Sequence, residues 1–207
     1  MPMKNNTKYG IFVLGALSLI MLSSLVLADS SQDNSKLAND INKSTNICIY
    51  ASLVPYTPHD LDNNSMLVIK GTVKEILPPK WNTVNGKQPN KSVDDLNPND
   101  LIYTDVIVSV DKYLKKPSSS NEITVRVIGG TIEDISMTTD YEPSFKTGEK
   151  VLLYLSKDQY TATNNVGSEH LVVTGCLQGK FTLTDNGKAV NPYETFSQDE
   201  LLSTITK

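Results

Sequence analysis

The chain has 207 residues, of which 39% are hydrophobic and 20% charged, with 11 Gly, 10 Pro and 2 Cys. These figures exclude collagen-like, disulfide-dense and multispanning membrane classes and suit one domain of moderate size. The formal net charge is −4, Arg126 is the one arginine and the lysines are scattered singly, a pattern that excludes a phosphate-tracking surface and with it nucleic acid as an expected partner.

Residues 1–9 carry Lys4 and Lys8 and no acid, and residues 11–28 form a mostly apolar run interrupted by Gly15, Ser18, Ser23 and Ser24. This is the pattern of an export signal, with cleavage after Ala28 as the first choice and an uncleaved hydrophobic anchor helix as the alternative. Any membrane contact is expected through this segment alone, when it stays uncleaved. Cleavage lowers the basic count from 19 to 17 against 23 acidic residues, so the exported form is more acidic, at −6. Residues 29–46 are rich in Ser, Asn, Asp and Lys and read as a flexible polar lead-in to a domain over residues 47–207.

Structure is expected to begin near Ile47. Residues 66–76 read as the first full strand, with Leu67, Ile69, Gly71 and Val73 on one face, ended by Pro78 and Pro79. Residues 102–110 alternate cleanly: Val106, Val108 and Val110 share a core face, and Asp105, Ser109 and Asp111 are expected on a wet one. Residues 122–128 repeat the pattern, with Ile123, Val125 and Val127 inward and Thr124 and Arg126 outward. The more uniformly apolar residues 151–155 suit a strand covered on both sides. Strands are also expected at residues 171–174 and 179–184. The latter run into Asp185-Asn186-Gly187-Lys188, a hairpin signal, because both central positions accept positive φ. Ser197 with Glu200 reads as a capping box opening a short C-terminal helix, with Leu201, Leu202 and Ile205 on its apolar side. Such a run of strands predicts an all-β chain, specifically a small OB-like barrel, closed or partly open, with a C-terminal helix. An immunoglobulin-like sandwich is the alternative, but the single Trp81 lies in a Pro-rich loop instead of a core strand.

The longest irregular stretch, residues 77–101, holds Trp81 and Asn85-Gly86, and loops of this length are commonly functional. Trp81 is the candidate binding anchor, with Asn82 and Asn85 as polar neighbours; the competing reading folds the indole back over the barrel end. Cys48 and Cys176 are read as one disulfide in an exported chain, against two buried free thiols. Asn42, Asn63 and Asn90 each open an Asn-x-Ser sequon and are candidate glycosylation sites.

His59 and His170 are the whole imidazole supply and lack metal-ligand spacing, so no metal site or cofactor is expected. Residues 60–71 fail as a calcium loop, with Ser65 where the turn needs Gly and Gly71 where the bidentate Glu belongs. Glu169 and His170 read as an exposed turn pair. Glu133, Asp134, Asp140 and Glu142 read as a solvated acidic surface in preference to a glycosidase carboxylate pair. No constellation demands catalysis, so the chain is not expected to be an enzyme.

Several segments together resemble a family of uncharacterised secreted prokaryotic β-barrel proteins. These are residues 81–86, Ile102-Tyr103-Thr104, Tyr113-Leu114-Lys115, residues 124–130, Pro143-Ser144-Phe145-Lys146-Thr147-Gly148-Glu149-Lys150 running on through Leu155, and Gln178-Gly179-Lys180-Phe181. The resemblance covers roughly residues 66–183 and implies export and a β-barrel module. Cys48, residues 67–73 and Tyr113-Leu114-Lys115-Lys116 are also similar to the netrin-like OB module of tissue metalloprotease inhibitors. That likeness implies the same barrel. The inhibitors' N-terminal cysteine has its counterpart in Cys48, which here lies inside the chain. The expected function is a non-catalytic binding module at the cell envelope or outside the cell, its partner an extracellular protein or a carbohydrate. A protease-associated or protease-inhibitor-like module and a structural envelope protein are the alternatives.

Overall fold

The structure, a computed structural model, describes residues 44–206. The expected export signal, Asn42 and the expected lead-in as far as residue 43 lie outside the described residues. In chain order the elements are β1 (Thr45–Ile49), α1 (Pro58–Asn64), β2 (Leu67–Ile76), β3 (Lys80–Trp81), β4 (Ile102–Lys115), β5 (Glu122–Ile128), β6 (Gly130–Ile132), β7 (Ile135–Thr139), β8 (Lys150–Lys157), β9 (Leu171–Val173), β10 (Lys180–Leu183), β11 (Lys188–Val190), β12 (Thr195–Ser197) and α2 (Gln198–Ser203). One-turn 3-10 helices lie at Val93–Asp95 and Cys176–Gly179.

Five strands close a barrel in the ring order β2-β4-β5-β9-β8 and back to β2. Each pair is antiparallel except β5 with β9, which runs parallel, and this is the connectivity of an OB-type Greek-key barrel. The period-two faces explain the closure. Leu67, Ile69 and Val73 of β2, Val106 and Val108 of β4, Val125 of β5 and Leu153 and Leu155 of β8 form one interior cluster. Tight coiling requires bulges, and β2 shifts register against β4 at three places. Gly71 sits at one of them: a Cβ there would lie 2.5 Å from the Ser109 carbonyl oxygen, so only glycine permits the close approach.

The opposite faces are covered as well. Val68, Leu152 and Tyr154 pack against Phe181, Ala189, Leu61 of α1 and Leu201 of α2, so the β10–β12 meander and both helices seal one flank. Tyr154 and Phe181 meet edge to face with ring centroids 6.2 Å apart. The capping box at Ser197 forms as expected, its hydroxyl accepting from the Glu200 N–H. An unforeseen second box starts α1: Thr57 accepts from the Asp60 N–H and Asp60 Oδ2 from the Thr57 N–H, with Pro58 opening the helix. On another flank, β1, β7 and β6 form a separate three-stranded sheet, with β1 parallel to β7. Strand β1 starts at Thr45 rather than Ile47, and β4 continues past Val110 to Lys115 because residues 112–115 pair with residues 68–70.

Candidate functional site

The long loop turns its tryptophan inward. Trp81 is 0% exposed and packs with Leu101, Ile102, Ile135 and Met137 between β4 and the three-stranded sheet. Asn82 is equally internal in role: its Nδ2 donates to the Asn99 and Ala162 carbonyl oxygens at 2.7 and 2.8 Å, and its Oδ1 accepts from the Leu101 N–H at 2.9 Å. Asn85 is exposed, and its Oδ1 accepts from the Thr83 hydroxyl and the Lys87 N–H, closing the turn that follows Trp81. The expected anchor and its neighbours are thus corrected to a plug and its fastenings, because an indole gains more from apolar burial than from standing in water.

The expected disulfide is corrected too. Cys48 and Cys176 are two free thiols. Cys48 is exposed on β1, opposite Thr138, whose hydroxyl donates to its sulfur. Cys176 is half-buried, opening the 3-10 turn at φ 57°. Asn63 and Asn90 are exposed; the amide of Asn63 bonds His59 Nδ1, and Ser65 of its sequon is buried, with its hydroxyl donating to the Leu61 carbonyl.

A cleft of about 530 Å³ opens where the ends of β5, β8 and β9 meet residues 141–142, 158–163 and 174–176. Its wall is held by Arg126, which is 1% exposed, contrary to the expected wet face. Its Nε and Nη2 donate to the two carboxylate oxygens of Asp105 at 2.8 and 2.9 Å, and its Nη1 donates to the Thr163 and Val166 carbonyl oxygens. The guanidinium lies 3.7 Å from the Tyr103 ring centroid. Asp105, also expected outward, is buried for the same reason: residues 158–167 fold back over the outer faces of β4 and β5. Gly167, at φ 71°, permits that return, since a Cβ would lie 2.8 Å from the Tyr103 hydroxyl and 2.9 Å from Arg126 Nη2.

The root of the same segment is pinned by Asp158. Its carboxylate accepts from the Tyr160 N–H, the Thr163 hydroxyl and His170 Nε2, and these bonds hold it below the ordinary aspartate range despite burial. His170 also bonds the Ser168 carbonyl oxygen through Nδ1, so the expected exposed turn pair is corrected in its second member: Glu169 is exposed, but the His170 side chain is 3% exposed.

Glu142 is the group that stands apart. Glu133, Asp134 and Asp140 are exposed as expected, but Glu142 is half-buried at the cleft. Burial raises its carboxyl from 4.5 to about 7, with the charge of Asp158 adding to the shift and a backbone donor at Ile128 opposing it. Among the described residues it has no ion-pair partner. Tyr141 beside it is pushed up to about 12, and the Cys176 thiol up to about 11, by burial first and then by neighbouring charge that includes Glu142. The thiol is therefore held protonated, the opposite of nucleophile activation. The cleft combines a protonatable carboxyl with Tyr56, Tyr141 and the 45% exposed Tyr160, a set suited to hydrogen bonding and stacking.

Between pH 4.5 and 7 folded Glu142 keeps a proton that the unfolded chain has released. Its contribution is complete below about 4.5 and is lost as pH rises through about 7. Denaturant midpoints taken from about pH 4 to about pH 8 should show Glu142→Gln losing less stability than wild type across that interval; parallel profiles would place Glu142 in water.

No protein-family model matches the sequence, and no curated protein matches it. Sequence reasoning missed this cleft because its walls come from separate segments. A signal was present in the lone Arg126 on a strand and in the irregular residues 158–170, the other long break between strands.

Proposed function

We propose that this chain is an exported module that binds a ligand without transforming it, at the cell envelope or outside the cell, and that it does so in the Glu142 cleft. Export rests on the apolar run at residues 11–28 behind Lys4 and Lys8. The carrying observation for the site is Glu142 itself: a half-buried carboxyl with no cation paired to it among the described residues, beside aromatic rings, in a cleft of small-ligand size. A carbohydrate is the ligand class that such a surface suits. Its hydroxyls donate to carboxylates, and its C–H faces stack on tyrosine. In OB barrels ligands commonly meet the barrel wall between two loops, one of which corresponds here to residues 158–170.

The test is retention on a glycan array of wild type against Tyr160→Ala, a side chain at the cleft rim whose backbone carbonyl, which accepts from residues 163 and 164, is untouched. We expect one glycan class to be held by wild type and at least about tenfold more weakly by the variant, with an unchanged melting temperature, in line with the loss of one aromatic contact. Retention that is absent, or indifferent to Tyr160, overturns the proposal.

A further inference from the structure

The charges lining the cleft differ in how far the protein has already satisfied them. Arg126 is consumed by Asp105 and two backbone carbonyls. Asp158 accepts from Tyr160, Thr163 and His170. Lys157 also lines the cleft but is exposed, and it makes no ion pair with Glu142. Of the carboxyls lining the cleft, only Glu142 meets no cation among the described residues, and Tyr56, Tyr141 and Tyr160 line the same space.

A neutral hydroxyl would give this carboxyl an ordinary hydrogen bond. An ammonium would give a charge-assisted bond about twice as strong and would also be attracted to the faces of the surrounding tyrosines. Resting on the reading of the cleft as a carbohydrate site, we infer that its ligand carries a free amine: a glycan containing de-N-acetylated amino sugar, with the ammonium placed on the Glu142 carboxylate between the tyrosines. The direction of the Glu142 shift agrees, since a carboxylate that lacks a counter-charge is the one that an incoming cation relieves. Docking an ammonium there also offsets the acidity of the exported chain locally.

The probes are short chito-oligosaccharides in fully deacetylated and fully acetylated forms and a cello-oligosaccharide of equal length, titrated calorimetrically into the exported protein at neutral pH and moderate salt. The deacetylated probe should bind about tenfold or more tightly than either other sugar. Glu142→Gln should remove that preference, and Glu133→Gln, an exposed carboxylate outside the cleft, should keep it. Equal binding of all three sugars overturns the amine inference and leaves the carbohydrate site standing. A preference weakened equally by Glu133→Gln shows general attraction of a cation to an acidic protein, and also overturns it. Absence of binding by all three, alongside retention of an unrelated glycan on the array, again removes the amine and leaves the site; absence on both removes the site.

Discussion

Arg126→Leu is expected to destabilise the protein by about 3–5 kcal/mol, the usual cost of removing one partner from a buried ion pair. Asp105, 7% exposed, would keep its carboxylate with both bidentate donors gone, and the Thr163 and Val166 carbonyls would lose their donor. The stacking on Tyr103 would go as well. Because those carbonyls belong to the segment that walls the cleft, the loss should be felt there first, as faster amide exchange over residues 158–167. Urea midpoints of Arg126→Leu, Asp105→Leu and the double variant form the measurement. The double variant should recover part of the loss, since it leaves no charge stranded. A loss under about 1 kcal/mol for Arg126→Leu would mean that the pair is solvated.

Trp81→Ala should cost a similar amount, about 3–5 kcal/mol, the range for emptying a buried aromatic site. The indole is 0% exposed, and its neighbours Ile102 and Met137 belong to different sheets, so neither sheet can collapse freely into the space. Trp81→Phe should cost less, because it keeps most of the ring area and removes an indole N–H that is buried without an acceptor. As Trp81 is the one tryptophan, its emission reports its own environment: blue-shifted and resistant to acrylamide quenching when folded, red-shifted on unfolding. Ready quenching of the folded protein would restore Trp81 to the surface.

The barrel strands were legible because alternation is written locally. Val106, Val108 and Val110, or Ile123 and Val125, face one way whatever lies elsewhere in the chain. The capping box at Ser197 and the turn at Asn186-Gly187 were legible for the same reason: each is closed by residues a few positions apart. Strands β6 and β7 were not, since residues 130–139 are too short and too mixed in polarity to show a period; β1, the parallel partner of β7, lies some ninety positions away by the Cys48–Thr138 pairing. The same limit hid α1, whose seven residues carry too few apolar positions to show a helical stripe.

The division between local and distant information follows from this. Residue order decided which side chains share a strand face, where turns and caps fall, and that a β-barrel results. It did not decide which outer faces stay wet. Asp105 and Arg126 alternate as a solvent face should, yet they are buried because residues 158–167 return across them. Glu142 stands in a run of acids like a surface residue, yet it is half-buried because the ends of β5, β8 and β9 converge on it. Desolvation and charge pairing depend on neighbours brought together by chain closure. The candidate site, which consists of those two effects, therefore comes into view only once the barrel has formed.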